Sequence, residues 1–148
     1  FKACLSYPLS THIIPNAIAA ALAGKKFPLF GDDYQTPDGT CIRDYIHIYD
    51  LITAHMLAME DLHHEKGGFI YNVGTGKGYS NKEVLDTVKK VSGVDFSVEV
   101  QPRRQGDAEV LIADPGSIQK DLNFSPKYSD LETIVKTAFA WHKRQKQK

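Results

Sequence analysis

The chain has 148 residues, of which 42% are hydrophobic and 24% charged, values ordinary for one globular domain or a piece of a larger one. Lys and Arg number 18, as do Asp and Glu. This balance excludes a general nucleic-acid or membrane-surface binder, because both need a basic excess. No apolar run approaches the ~18 residues of a membrane span, and Cys4 and Cys41, which form no C-x-x-C pair, predict free thiols in a reducing cytoplasm.

The first two helices are predicted from local punctuation. Residues 13–23 are rich in Ala, with Pro15 in the first turn and Gly24 just past the end, which favours a helix. A second helix is predicted to begin after Asp50, a good N-cap residue. Its apolar residues recur at helical spacing as far as Leu62.

Two capping boxes mark the remaining long helices. Ser80 and Glu83 open one helix, which should end before Gly93. Ser129 and Glu132 are predicted to open the last helix in the same way. Each box would satisfy two backbone N–H groups that the first helical turn leaves without a partner.

Strands are predicted between these helices, so the fold class is α/β. A short helix should follow Asp114 as N-cap, with Pro115 at its first position. The longest polar loop covers residues 31–41, and long ordered loops are often functional. The predicted strands are residues 28–31, 42–48, 69–73, 96–100 and 109–112.

Three glycines, Gly74, Gly76 and Gly78, follow a predicted strand and precede a capped helix. That context resembles a dinucleotide-binding turn, but the spacing is wrong, and Tyr79 stands where the third glycine of that turn belongs. The sequence therefore favours a tight turn beside a ligand over a cradle for a cofactor pyrophosphate.

The segment that follows the polar loop is rich in groups able to bind anions. Alternation along the predicted strand puts Arg43, Tyr45 and His47 on one face, and Asp44 and Ile46 on the other. Two interpretations stay open, a partly buried ion pair and anion recognition by the guanidinium, which matches phosphate oxygens bidentately.

A second cationic point lies at residues 103–107, where Arg103 and Arg104 are adjacent and Asp107 follows. Neighbouring arginines repel each other, so each needs a partner of its own or a shared anion. The segment is either a surface charge cluster or, if the fold joins it to Arg43, half of a diphosphate clamp.

Four motifs, in this order, carry a resemblance to a known family: FGDDYQTPDGTCIRDYIH at 30–47, YNVGTG at 71–76, RRQGD at 103–107 and ADP at 113–115. The first closely resembles the signature of the UDP-glucose 4-epimerases, which are extended short-chain dehydrogenases. The resemblance covers about residues 11–141. It implies a UDP-sugar-binding domain at residues 11–148, preceded by an unmatched segment at 1–10.

The resemblance also implies what this chain does not contain. Family members hold NAD in an N-terminal Rossmann portion with a G-x-x-G-x-x-G turn, and their acid–base pair is Tyr-x-x-x-Lys. Neither motif occurs in this sequence. We therefore expect the C-terminal substrate-binding part of an α/β epimerase, which binds no NAD and has no catalytic residue of its own. The partners implied are a UDP-sugar, the N-terminal portion and a second copy in a homo-oligomer, and the location implied is the cytoplasm.

By resemblance, several residues take roles around the diphosphate. Arg43 and Arg104 match the arginines that grip it, and Tyr45 matches the aromatic residue beside them. Asp107 matches the carboxylate that accepts hydrogen bonds from the ribose hydroxyls.

The remaining matches concern the base, the sugar and the start of the domain. Phe30, with Pro28, matches the wall against the uracil ring, and Asn81 lies where the family contacts the nucleotide. Leu111 stands where residue size sets which sugars fit. The segment that contacts UDP through Asn and backbone amides in the family corresponds here to Thr11, His12 and Ile13.

Alternatives to the epimerase are a non-catalytic nucleotide-sugar-binding remnant and an epimerase of UDP-pentoses, UDP-uronates or UDP-N-acetylhexosamines. Neither a metal site nor a nucleophilic triad is predicted. The six histidines show no metal-ligand spacing, and no serine lies in a G-x-S-x-G elbow.

Overall fold

The fold alternates short strands with helices, in a computed structural model that describes residues 12–64 and 70–146. The α/β class is confirmed. In chain order the elements are α1 (Ile13–Ala23), β1 (Phe27–Phe30), β2 (Ile42–Asp44), α2 (Ile48–His64), β3 (Gly78–Ser80), α3 (Asn81–Ser92), β4 (Val98–Gln101), β5 (Val110–Leu111), α4 (Gly116–Leu122) and α5 (Leu131–Lys146). No helix in the described ranges is both long and apolar enough to span a bilayer.

The strands form two small sheets. In the first, β1 pairs in parallel with β4, and Phe30 lies opposite Gln101. In the second, β2 is central, antiparallel to β3 and parallel to β5. Arg43 on β2 lies opposite Leu111 on β5. Parallel neighbours need long crossovers, and here helices and the segment after β4 supply them.

The main core lies where α1, α3 and α5 pack on the inner face of β1. Ile18, Val88 and Val135 come from the three helices and are all fully buried. Phe27 and Leu29 alternate along β1 and face the same cluster. The helically spaced apolar residues of α1, α3 and α5 therefore form the faces that are buried in this core.

A second, smaller cluster joins α2 to α4. Its buried members are Ala54, Ile118 and Phe124, with Tyr71 and Val73 packed against them. The opposite side of α2 is apolar but exposed to solvent. These exposed side chains, called here the α2 stripe, are Ile48, Tyr49, Ile52, Met56, Met59 and Leu62.

Local capping signals are confirmed for α1 and α3. Gly24 (φ 62°) and Gly93 (φ 70°) end these helices in the left-handed conformation that glycine adopts at least cost. At the start of α3, the Ser80 hydroxyl accepts from the Glu83 N–H, and the Glu83 carboxylate accepts from the Ser80 N–H.

The N-cap predicted at Asp50 is wrong, because α2 begins two residues earlier, at Ile48. The Asp50 carboxylate is buried and accepts from the N–H groups of Lys127 and Tyr128, at 2.9 and 2.8 Å, and from the Ser129 hydroxyl, at 2.5 Å. It thus ties the start of α2 to the segment before α5.

That tie also overturns the second capping box. The Ser129 hydroxyl donates to Asp50 and accepts from the His47 N–H at 2.8 Å, so Asp130 caps α5 by accepting from the Thr133 N–H at 2.9 Å. Glu132 pairs instead with Lys90 and Lys136.

Other boundaries shift as well. The helix α4 begins at Gly116, one residue later than predicted, since Pro115 takes the cap position and the Asp114 carboxylate accepts from the Gly116 N–H. The strand predicted over 42–48 ends at Asp44, and β3 was not predicted at all. No strand forms at 70–73, where the Ile70 side chain is 96% exposed; residue 69 lies outside the described residues.

Candidate functional site

A chain of contacts joins the two arginine segments that the sequence analysis singled out. The Arg104 guanidinium lies over the Phe30 ring, 3.7 Å from its centroid. Arg104 and Asp107 share one turn, closed by the Asp107 N–H on the Arg104 carbonyl at 3.3 Å. The Asp107 carboxylate forms an ion pair with Arg43 at 3.9 Å. The fold therefore joins the exposed segment at 103–107 to Arg43, which is the condition set for the diphosphate clamp.

Strand order explains this convergence. Phe30 ends β1, and its partner Gln101 ends the parallel strand β4, so residues 102–107 leave the sheet beside the Phe30 ring. The chain then enters β5, which pairs with β2 and sets Leu111 opposite Arg43. Two parallel pairs in succession thus bring positions about 60 residues apart to one place.

An open cleft of about 350 Å³ lies beside Arg43. Leu111 projects at its edge with 56% of its surface exposed. The walls are the end of β2, the turn at residues 74–76, called here the glycine turn, and the chain leaving β5. The lining residues are Arg43, Asp44, Ile46, Val73, Gly74, Leu111, Ile112 and Ala113. The cleft is mostly apolar, with the Arg43 guanidinium as its cation.

The two adjacent arginines have separate partners. Arg103 binds Asp33 through its Nε at 2.5 Å and through a second bond to the Asp33 carbonyl, and it lies over the Tyr34 ring at 4.1 Å. It also reaches Glu109 at 3.9 Å. The Arg103 guanidinium holds the pKa of Asp33 below its ordinary value. Arg103 therefore fastens the polar loop, while Arg104 is directed to Phe30.

The polar loop at 31–41 is closed on itself. The Asp38 carboxylate accepts from the Thr40 N–H at 2.9 Å, from the Thr40 hydroxyl at 2.7 Å, and from the Ser80 hydroxyl at the start of α3. Gly39 has φ 78°, and a Cβ there would lie 2.0 Å from the Asp32 carbonyl oxygen. The loop is thus an ordered support behind Phe30 and β2.

The shared face predicted for Arg43, Tyr45 and His47 is wrong, because β2 ends at Asp44 and alternation stops with it. Tyr45 packs against the main core, and burial raises its pKa to about 12. His47 is only 4% exposed; its Nε2 lies 3.0 Å from the Thr137 hydroxyl, and its Nδ1 accepts from a backbone N–H. His47 thus serves the packing of α2 on α5.

The sequence analysis assigned no role to Asp44, yet its carboxylate organises the glycine turn. It accepts from the Thr75 N–H at 2.9 Å, the Thr75 hydroxyl at 2.6 Å and the Gly76 N–H at 3.0 Å. Because an internal carboxylate occupies these donors, they are not open to a pyrophosphate. The structure supports the tight turn over the cofactor cradle. The signal was present, since consecutive N–H groups in a glycine turn need an acceptor.

The remaining predicted site residues make no contact described above with Arg43, Arg104 or Asp107. Pro28 is exposed on the same side of β1 as Phe30. Asn81 begins α3 and donates its N–H to the Cys41 carbonyl at 2.9 Å. Ile13 packs against the main core, preceded by the exposed His12. Thr11 lies outside the described residues.

The site combines two guanidinium groups, an aromatic ring and a carboxylate. Within residues 12–64 and 70–146, no three His, Cys, Asp or Glu side chains come together as metal ligands. What the fold assembles is an arginine on an aromatic ring, a second arginine in a cleft, and a carboxylate between them. Such a set suits a ligand that combines a flat ring, an anion and hydroxyl groups.

The chain resembles known proteins along most of its length. The family described as GDP-mannose 4,6 dehydratase matches residues 6–137. A UDP-glucose 4-epimerase of Lactobacillus helveticus is 43% identical over 134 residues, which are 90% of this chain and 41% of that protein. The chain thus spans about two-fifths of the curated relatives it matches, in their C-terminal part.

Solved structures share the fold. The UDP-Glc/GlcNAc 4-epimerase of Campylobacter jejuni is 51% identical, with a TM-score of 0.81 over 93% of this chain and 42% of that one. A UDP-glucose 4-epimerase of Bifidobacterium longum, solved with NAD+ and UDP, is 32% identical, with a TM-score of 0.87 over 95% of this chain and 42% of that one.

Proposed function

From the premise that the chain belongs to the GDP-mannose 4,6 dehydratase family, we propose that it is the C-terminal, UDP-sugar-binding part of a UDP-glucose 4-epimerase. The observation that carries this proposal is the contact chain Phe30–Arg104–Asp107–Arg43, which joins an aromatic ring, two cations and a carboxylate and reaches the cleft at Arg43. The relatives named as epimerases support it. The complete enzyme would interconvert UDP-glucose and UDP-galactose in galactose metabolism.

In this proposal the diphosphate lies between Arg43 and Arg104. Guanidinium groups match phosphate oxygens with two parallel hydrogen bonds, which Lys cannot reproduce. The Arg43–Asp107 ion pair is long, at 3.9 Å, so a phosphate can take the Arg43 Nη2 without displacing the guanidinium and leave Asp107 to accept from the ribose hydroxyls. Tyr45 lies behind Arg43, packed in the core.

The uracil ring would pack at the Phe30 ring, with Pro28 extending the same side of β1. Aromatic faces stack well on flat bases, so the uracil would take the Phe30 face when Arg104, which covers it here, turns to the diphosphate. Asn81, Thr11, His12 and Ile13 are assigned to the nucleotide by resemblance.

We place NAD and the acid–base pair in another part of the complete protein. The sequence contains neither a G-x-x-G-x-x-G turn nor a Tyr-x-x-x-Lys pair. The turn that comes closest to a cofactor cradle donates its N–H groups to Asp44. The residues of this chain therefore do not fit an NAD site, and the hydride chemistry is assigned elsewhere.

The α2 stripe supports a further portion of the protein at this surface. Six large apolar side chains on one helix face are too many to leave in water without a partner. Residues 70–73 also have no strand partner among the described residues. We propose that the N-terminal portion covers both. In its absence the stripe would drive self-association, which sedimentation of the 148-residue chain with and without a co-expressed N-terminal portion would detect.

Sugar preference is proposed from Leu111. It is half exposed at the cleft edge, intermediate in volume and unable to form a hydrogen bond through its side chain. A residue of this size favours UDP-glucose and UDP-galactose and tolerates N-acetylated sugars weakly. The Campylobacter relative, named for both kinds of sugar, is consistent with this. The buried free thiol of Cys41 fits the reducing cytoplasm in which we place the reaction.

The deciding experiment compares the complete protein with the 148-residue chain in a coupled assay on UDP-galactose and NAD. Turnover by the complete protein and background from the chain alone would support the proposal, since acid–base groups must lie within hydrogen-bond reach of the proton they move. A complete protein that binds UDP without turnover would favour the non-catalytic binding remnant. Turnover by the chain alone, free of host epimerase, would overturn the division of labour.

A further inference from the structure

The Asp44 carboxylate accepts hydrogen bonds from three donors of the glycine turn at residues 74–76. Both carboxylate oxygens are used, with the Thr75 N–H at 3.1 Å from Oδ1 and 2.9 Å from Oδ2. The Thr75 hydroxyl and the Gly76 N–H add bonds at 2.6 and 3.0 Å. Hydrogen bonds to an ionised acceptor are about twice as strong as neutral ones.

Close packing confines the same point from the other side. A Cβ at Gly74 would lie 2.6 Å from the Asp44 Oδ2 and 2.5 Å from the Ala113 Cβ. Three segments therefore touch here: the end of β2, the turn at 74–76 and the chain that leaves β5. All three line the cleft of about 350 Å³, so its width depends on this junction.

Arg43 is coupled to the junction through the backbone. Its Nη1 donates to the carbonyl of Ile42 at 2.8 Å, so the guanidinium is held against its own strand. Asp44 is the next residue and the last of β2. A shift of the strand end relative to the turn would therefore move the guanidinium with it.

We propose that Asp44 is a positioning residue, which clamps the end of β2 to the turn at 74–76 and so sets where Arg43 meets the diphosphate. This rests on the proposed function. Asp44 is directed to the turn's donors, and its charge is satisfied there, so it neither contacts the diphosphate nor pairs with Arg43. Its effect on binding is indirect and passes through the strand.

The main test is Asp44→Asn in the complete protein, with UDP affinity measured by calorimetry. An amide offers one acceptor where the carboxylate offers two, and its NH₂ would face the turn's N–H donors. We expect the Kd of UDP to rise about tenfold, the effect of losing a charge-assisted hydrogen bond. The KM for UDP-galactose should rise similarly and kcat should change less than about threefold, because the reacting groups lie elsewhere.

Two milder variants keep the test informative if Asp44→Asn folds poorly. Thr75→Val removes one donor to Asp44 and preserves the shape of the side chain, and it should raise the Kd of UDP about threefold, part of one hydrogen bond's effect. Thr75→Ser restores the hydroxyl and should restore wild-type affinity. Failure of Ser to differ from Val would overturn the proposal.

Asp50→Asn is the matched control, since Asp50 also accepts two N–H groups and a hydroxyl but lies away from the cleft. It should lower the Tm and leave the Kd of UDP unchanged. An equal loss of affinity in both Asn variants would reduce Asp44 to a stability role and overturn the proposal. If the wild-type complete protein binds no UDP, the proposed function itself fails, which is a different result from binding that Asp44→Asn leaves intact.

Discussion

Replacing the two neighbouring arginines one at a time should separate a binding residue from a structural one. Arg103 is engaged by Asp33, by the Tyr34 ring and by Glu109. Arg104 lies over Phe30, and within residues 12–64 and 70–146 it pairs with no carboxylate. Its guanidinium is thus available to an anion without first breaking an ion pair.

The magnitude follows from this difference. Arg104→Ala removes a hydrogen-bond donor to a charged ligand, which is worth about 1.5–3 kcal/mol, or about 10- to 150-fold in the Kd of UDP. Arg43→Ala should fall in the same range. Arg104→Lys should recover only part of the loss, because Lys lacks the planar fork. Arg103→Ala should change the Kd less than about threefold and lower the Tm instead, since it releases the polar loop.

Calorimetry with UDP on the complete protein measures the first quantity, and a thermal melt of each variant measures the second. A repeat at higher salt adds a control, because an exposed cation–phosphate contact weakens with ionic strength. Equal losses of affinity in Arg103→Ala and Arg104→Ala would refute the assignment of separate roles. Unchanged affinity in both Arg43→Ala and Arg104→Ala would remove the diphosphate clamp altogether.

Two other predictions concern stability and sugar choice. Burial alone would raise the pKa of Asp50, but the hydrogen bonds from Ser129, Lys127 and Tyr128 outweigh it and hold the pKa below the ordinary 3.8. Asp50→Asn should therefore cost about 1.5–3 kcal/mol of unfolding free energy near neutral pH. The difference in unfolding free energy between wild type and Asp50→Asn should be full at pH values above 3.8 and disappear as the pH falls through the lowered pKa of Asp50. Denaturant titrations at several pH values measure it, and a difference that grew on acidification would contradict the prediction. Asp95→Asn, at an exposed position, is the control. Leu111→Tyr should lower turnover of UDP-N-acetylglucosamine by about 5- to 150-fold, from about 1–3 kcal/mol of size discrimination, and spare UDP-glucose; equal losses in kcat/KM for both would show that Leu111 is structural.

Features set by neighbours in sequence were predicted correctly. The ends of α1 at Gly24 and of α3 at Gly93, and the Ser80–Glu83 box, depend on a few residues within one helical turn. The α/β class follows from the alternation of periods along the chain. Residue chemistry and resemblance point to Arg43, Arg104 and Asp107 as candidate binding residues without any knowledge of their contacts.

Predictions from neighbouring residues were wrong where a distant segment binds the same hydrogen-bonding group. Ser129 and Glu132 satisfy the pattern of a capping box, yet the Ser129 hydroxyl donates to Asp50, 79 residues away, and accepts from the His47 N–H, so Asp130 caps α5 instead. Residues 70–73 have the composition of a strand, but a strand exists only through its partner, and none of the described residues supplies one.

The site shows the same division. Sequence alone determined which side chains could bind a diphosphate, because charge and shape belong to the residue. It could not determine that Arg103 pairs with Asp33 while Arg104 turns to Phe30, or that Asp44 closes the glycine turn. Those outcomes depend on strand register and on which acceptor the fold places within hydrogen-bonding distance of each donor. Only the tertiary structure decides them, since hydrogen bonds and ion pairs act over a few ångströms and chain separation does not measure that distance.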